Sequence, residues 1–203
     1  MNNEPLSADH GGPLRIVVPG FLGARWVKWV DTITISPEES PNYYQQRDYK
    51  ILPPHVSSTE PLIIECCHLI RPIIKVESKE SATTLWAKYP SMTALPLNSV
   101  VGSASRTSED ILYVKGYAIP GPCGNVQAVE ITIDEGNTWQ PAHIVYQQGR
   151  WSWTLWEAEV GCLEACGRVY CRAIDSEGNV QPREGTWNLR GVAYNGWGVK
   201  DWM

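Results

Sequence analysis

Several absences narrow what this chain of 203 residues can be. It has no run of 18 apolar residues, so no transmembrane helix is predicted. Its first residues, Met1-Asn2-Asn3-Glu4-Pro5, carry neither a basic n-region nor an apolar h-region, and no targeting signal is visible in them. It lacks basic excess: the formal charge is −5, which argues against a nucleic acid partner, because a phosphate backbone needs a basic face. Local positive charge is therefore expected to serve a small anion. The Ala, Leu, Glu and Lys excess of a helical protein is also absent, whereas 15 Pro and 17 Gly accompany β-branched runs, so short strands and turns are expected to dominate. No second CxxC or His pair accompanies Cys162 and Cys166, and adjacent Cys66 and Cys67 are badly placed to share a bridge. Reduced, partly buried thiols are predicted, and no metal ligand set.

What is present begins with Asp9-His10-Gly11-Gly12-Pro13-Leu14-Arg15-Ile16-Val17-Val18-Pro19-Gly20, followed by Gly23-Ala24-Arg25-Trp26-Val27-Lys28-Trp29. Four cationic or imidazole groups fall within nineteen residues here, between glycines and around an apolar stretch, a composition suited to an anionic ligand. Leu14 to Val18 and Val27 to Ile35 read as two strands, turned by Pro19-Gly20. Residues 37–54 read as an ordered loop carrying Asp48-Tyr49-Lys50. After Tyr89-Pro90 the pattern changes. Residues 112–118, 126–133, 151–156 and 168–174 alternate with period two, and Asp134-Glu135-Gly136-Asn137 and Asp175-Ser176-Glu177-Gly178-Asn179 supply turn chemistry between strands. An immunoglobulin-like β-sandwich is expected, although the Cys…Trp…Cys pattern of antibody domains is not evident. Trp151, Trp153 and Trp156 are assigned to the sandwich core and a subunit interface rather than to a stacking platform. His55 and His143 have no partner pattern and are read as structural or solvated.

The first two motifs, with Asp48-Tyr49-Lys50 and Trp187-Asn188-Leu189-Arg190-Gly191, resemble the sulfite oxidase family of molybdenum enzymes, over the C-terminal half of such a protein. The resemblance implies a mainly β chain in which an immunoglobulin-like dimerisation domain follows a C-terminal fragment of the mixed α/β molybdopterin-binding domain. The implied division is 1–56 for the fragment, 57–90 for an insertion or linker, and 91–203 for the dimerisation domain. Residues 57–76 have no counterpart in the family and are read as a retained intron or mis-set gene boundary, with an extra strand as the alternative.

The site residues follow from the same resemblance. His10 and Arg15 correspond to the pair that holds the cofactor's terminal phosphate, for which a guanidinium fork is suited. Trp26, Val27 and Lys28 occupy the positions that hold the pterin by main chain and by Lys, the Trp26 side chain itself having no direct role. Tyr49 corresponds to a substrate-pocket tyrosine able to hydrogen-bond an oxyanion and assist proton movement. Asp48 corresponds to an acid that pairs with an arginine of the following domain, and Arg190 is that arginine's counterpart, reaching the sulfite site from the sandwich. The implied activity is oxidation of sulfite to sulfate by a homodimer carrying molybdopterin. The family's molybdenum-ligating Cys has no counterpart here, so the chain alone is expected to be inactive; its electron acceptor is unassigned. A soluble mitochondrial or cytoplasmic protein is expected, with no membrane partner. Two other possibilities stay open: a non-catalytic immunoglobulin-like interaction module, and the equivalent part of an assimilatory nitrate reductase.

Overall fold

The computed structural model describes residues 3–57, 74–75, 84–108, 110–162 and 166–203. The retained-intron assignment for 57–76, with Cys66 and Cys67, falls almost wholly outside them. The described exceptions are two residue pairs at its edges, β1 (Val56–Ser57) and β2 (Ile74–Lys75), which lie parallel with Val56 opposite Ile74. The chain divides into two compact units, one of residues 1–93 with Trp187–Val192, the other of Ala94–Thr186 with Ala193–Met203. The stretch carrying Arg190, assigned from sequence to the sandwich, thus clusters with the first unit. No helix among the described residues is long and apolar enough to cross a membrane.

The second unit is a β-sandwich of two four-stranded antiparallel sheets, and the fold is mainly β as expected. One sheet joins β3 (Asn98–Ser108), β4 (Ile111–Ile119), β8 (Thr154–Gly161) and β7 (His143–Tyr146) in that order. The other runs β10 (Gly198–Trp202), β9 (Gly167–Asp175), β5 (Val126–Thr132) and β6 (Gln140–Pro141). Period-two alternation places Leu112, Val114 and Ala118 of β4, Val129 and Ile131 of β5, and Val169, Cys171 and Ala173 of β9 in one buried cluster, closed by Trp156 and Trp202. Burial of these apolar faces is the main stabilising term of the sandwich.

A polar hub sits in this apolar layer. Gln181, only 1% exposed, accepts from Ser99 Oγ (2.7 Å) and from the Ala173 amide (3.0 Å) through Oε1, and donates from Nε2 to Gly196 O (2.6 Å). Gln181 thus answers buried polar groups on both sheets and on the returning chain, which favours one register for it. Ser99 Oγ also lies 3.3 Å from the sulfur of Cys171, whose thiol burial pushes up to about 12.

The turn after β5 matches its sequence signature. Asp134 Oδ1 accepts from the Thr132 hydroxyl (2.6 Å) and the Thr138 amide (2.9 Å), while Glu135 and Gly136 take the positive φ values, +59° and +93°. The Thr132 and Thr138 hydroxyl bonds hold the Asp134 carboxyl well below the ordinary carboxylate value of 3.8. A depressed folded-state pKa means that the bonds contribute fully above that ordinary value and are lost as pH falls beneath it. Asp134→Asn is therefore expected to melt below the wild-type chain at neutral pH, and the gap is expected to close as pH is lowered from about 5 to about 2. Thermal melts monitored by circular dichroism across that range check this; a gap independent of pH would remove the carboxylate from the turn's energetics.

Two local expectations are corrected. The strand read over 151–156 starts only at Thr154, and of its tryptophans Trp156 alone is core (1% exposed), whereas Trp151 and Trp153 stand 54% and 55% exposed ahead of the strand. Alternation explains it: once Thr154 and Trp156 point inward, Leu155 must face out, and Trp153 shares its parity. In the first unit, 14–18 and 27–35 do not form strands. They are joined by two isolated bonds, Ile16 N to Val27 O (2.9 Å) and Val30 N to Leu14 O (3.0 Å). Pro13 and Pro19 bracket the first stretch and remove ladder donors, and Ile33 and Ile35 are left exposed.

Candidate active site

The structure gathers the predicted site residues of the first unit into two groups. The first is built on a single 3-10 turn, Ala8–His10, which ends where Gly11 takes φ +105°. A Cβ at Gly11 would lie 2.9 Å from Lys28 Cβ, so this glycine allows the turn to pack against the Val27–Trp29 segment, while one at Gly12 would lie only 2.3 Å from Leu6 O, so that glycine lets the chain close back on the residues before the turn. Trp29 seals the contact, donating from its indole to Ala8 O (2.7 Å) and from its amide to Gly11 O (3.3 Å). Lys28 Nζ is thereby brought to Asp9 O (2.6 Å), and Arg15 Nη1 reaches His10 O (3.2 Å). His10 is set by a 2.7 Å hydrogen bond between its Nδ1 and Ser7 Oγ.

This group has donor capacity to spare. A guanidinium carries five N–H bonds and an ammonium three. Arg15 Nε is buried without a partner among the described residues, an orphan donor of the kind that an absent anionic ligand would satisfy. Three cationic or imidazole side chains meeting on a glycine-bounded turn fit a phosphate. Trp26 does not join them. Its indole donates to Val18 O (2.9 Å) and Phe21 O (3.0 Å) and holds the intervening turn, while Val27 O accepts from Ile16 N (2.9 Å).

The second group surrounds Tyr49. Helix α1 (Tyr43–Gln46) is capped by Asn42, whose side chain accepts from Tyr44 N (2.9 Å), and the chain then turns sharply so that Tyr49 adopts φ +49°. The left-handed conformation costs a residue with a Cβ about 1–2 kcal/mol, which the surroundings must offset. Tyr49 N donates to Asp48 Oδ1 (2.8 Å), Tyr49 O accepts from Met92 N (2.8 Å), and buried Lys50 reaches Tyr89 O (2.6 Å). Arg190 Nη2 lies 2.7 Å from Asp48 Oδ1, with both side chains partly shielded and the guanidinium over the ring of Trp86 at 5.5 Å. Arg190 sits on a tight loop: Asn188, 6% exposed, donates to Val192 O (2.8 Å) and accepts from Val192 N (3.2 Å), and Gly191 takes φ +61°.

One member of this group was not singled out from sequence. Arg25, half-buried, donates from Nε and Nη2 to Met92 O (3.0 Å each) and from Nη1 to Tyr44 O (2.9 Å), and its Cζ lies 5.8 Å from the centre of the Tyr49 ring. Its position in the Gly23-Ala24-Arg25-Trp26-Val27-Lys28 motif was the available signal, but sequence cannot show that Arg25 and Lys28, three residues apart, serve different groups. The Tyr49 loop thus brings together a phenol with the Arg25 guanidinium over its ring and, one residue earlier, a carboxylate that holds the Arg190 guanidinium, groups suited to a small anion. The four described cysteines all lie in the sandwich unit.

Comparison with known proteins decides the family. Residues 90–199 match the family model of the Mo-co oxidoreductase dimerisation domain, and residues 1–44 that of the oxidoreductase molybdopterin binding domain. The chain belongs to the Mo-co oxidoreductases. The resemblance to the sulfite oxidase family holds within that group, and the chain carries part of a molybdopterin site. Sulfite oxidase of Arabidopsis thaliana is 33% identical over 97% of this chain and 48% of its own length. Mitochondrial sulfite oxidase of Homo sapiens is 35% identical over 97% of the chain and 34% of its own length. A nitrate reductase [NAD(P)H] of Hordeum vulgare is 34% identical, again over 97% of the chain but only 22% of its own length. This Mo-co oxidoreductase chain thus spans less than half of each of these relatives. The fold is shared with the sulfane dehydrogenase SoxCD of Paracoccus pantotrophus, at TM-score 0.70 and 23% identity over 99% of the chain and 46% of that structure.

Proposed function

We propose that this chain supplies the cofactor-phosphate, substrate-pocket and dimer-contact residues of a molybdenum-dependent enzyme that oxidises sulfite to sulfate. The observation carrying it is the Arg190–Asp48 ion pair beside Tyr49, which fastens a cation to the loop bearing the phenol. His10, Arg15 and Lys28 hold the phosphate end of the cofactor through donors that the protein leaves unspent. The bound molybdenum cofactor supplies oxygen-atom transfer and stores the electrons. The protein's own task is to capture, orient and neutralise the anion. Arg190 offers further N–H donors beyond the one held by Asp48, and the Tyr49 hydroxyl offers a hydrogen bond to an oxyanion and a route for its proton. The Arg190 guanidinium favours a doubly charged sulfur oxide over a singly charged, planar nitrate, since the Coulomb gain scales with ligand charge.

Nitrate is the second reading, because nitrate reductases are as similar to this chain as sulfite oxidases are. Titrating the chain with sulfite and with nitrate at matched ionic strength, followed by tryptophan fluorescence, separates them. Tighter sulfite binding is expected; nitrate binding as tightly or more so would overturn the assignment, and binding of neither would favour the non-catalytic interaction module.

The partner on the sandwich side is a second copy of the chain. On the outer face of the β3-β4-β8-β7 sheet, Tyr117 pairs with Leu155 and Leu155 with Tyr146, all at least 38% exposed, and Trp153 stacks edge-on against Tyr117 at 5.0 Å. The same face then turns polar, with Lys115 and His143 both paired across strands to Glu157. An apolar patch bordered by both signs of charge is self-complementary about a two-fold axis. Immunoglobulin-like topology and a soluble mitochondrial or cytoplasmic setting accompany this proposal.

A further inference from the structure

Arg25 has no ligand-binding role in the scheme above, yet among the described residues of the first unit it is the most heavily engaged guanidinium. Three of its N–H groups are used on two main-chain carbonyls, those of Tyr44 and Met92. These carbonyls are not arbitrary. Tyr44 lies in α1 at the start of the loop that leads to Tyr49, with its ring 6.4 Å from the Tyr49 ring. Met92 is the residue whose amide holds Tyr49 O. One planar fork therefore ties the helix that leads into the Tyr49 loop to the residue that holds the Tyr49 carbonyl, while its charge lies over the Tyr49 ring at 5.8 Å. A lysine could reach one carbonyl as a point charge but could not span two at fixed angles. Left-handed Tyr49 needs such external bracing, because its own backbone preference would carry the side chain elsewhere.

We propose that Arg25 is a positioning residue that holds the Tyr49 phenol where it meets the anion. The inference rests on the assignment of Tyr49 to the anion pocket. A double-mutant cycle on sulfite binding by the full chain tests it, using Arg25→Met, Tyr49→Phe and the pair, with circular dichroism to confirm folding. Each single change is expected to weaken sulfite binding roughly tenfold, and the pair no more than the Tyr49→Phe change alone within about twofold. A structural role unconnected with the phenol would give losses that multiply, and that result overturns the proposal while leaving Tyr49 in place. A Tyr49→Phe chain that binds sulfite normally overturns both. Arg25→Lys keeps the charge and is the variant to use should Arg25→Met fail to fold. It is expected to retain part of the affinity and to show the same lack of additivity; additive losses with Arg25→Lys overturn the proposal equally.

Discussion

Arg190→Met is expected to weaken sulfite binding about 30- to 150-fold, the equivalent of roughly 2–3 kcal/mol for a charge-assisted hydrogen bond lost from a partly shielded site. Two effects add. The anion loses a guanidinium whose donors are only partly spent on Asp48, and Asp48, 18% exposed and 2.7 Å from Nη2, is left as an unneutralised negative charge beside the pocket. Repulsion from that carboxylate makes the substitution worse than simple deletion of a contact. Arg190→Met combined with Asp48→Asn is therefore expected to recover part of the loss. Sulfite titrations of the wild-type, single and double variants measure it, and an unchanged affinity in Arg190→Met would take Arg190 out of the site.

Trp153→Glu is expected to convert a dimer at tens of micromolar chain into a monomer. Trp153 is 55% exposed and leans on Tyr117, at the apolar end of the β3-β4-β8-β7 face. In a two-fold interface each substitution is counted twice, and a buried unpaired carboxylate near an aromatic cluster costs more than the lost contact alone. Because the side chain supports no core residue, the melting temperature of the separated subunit is expected to stay close to that of the wild type. Sedimentation equilibrium gives the mass. A wild-type chain that sediments as a monomer, or a Trp153→Glu chain that stays dimeric, would place the contact on another surface or none.

What the sequence disclosed follows from which interactions are local. The β4 and β9 strands were legible because inward Leu112, Val114, Val169, Cys171 and Ala173 alternate with less buried neighbours, and β5 because Val129 and Ile131 keep the same period over its middle. The Asp134 and Asp175 turns were legible because their capping partners lie within four residues. β3, by contrast, reads Asn98-Ser99-Val100-Val101-Gly102-Ser103, with little apolar periodicity, and Ser99 is buried only because Gln181 answers it from the far side of the sandwich. The onset of β8 was misplaced because tryptophans at 151 and 153 imitate a strand that begins after them. For the site, the family motifs marked His10, Arg15, Lys28, Asp48, Tyr49 and Arg190. They could not mark Arg25, whose partners Tyr44 and Met92 are 19 and 67 residues away.

The excursion of the chain through the sandwich and back over Trp187–Val192 has a consequence for biosynthesis. Residue 190 leaves the ribosome after almost the whole of the intervening sandwich, so the Tyr49 loop must wait for its arginine, with the Asp48 carboxylate left to solvent, until those strands have been made.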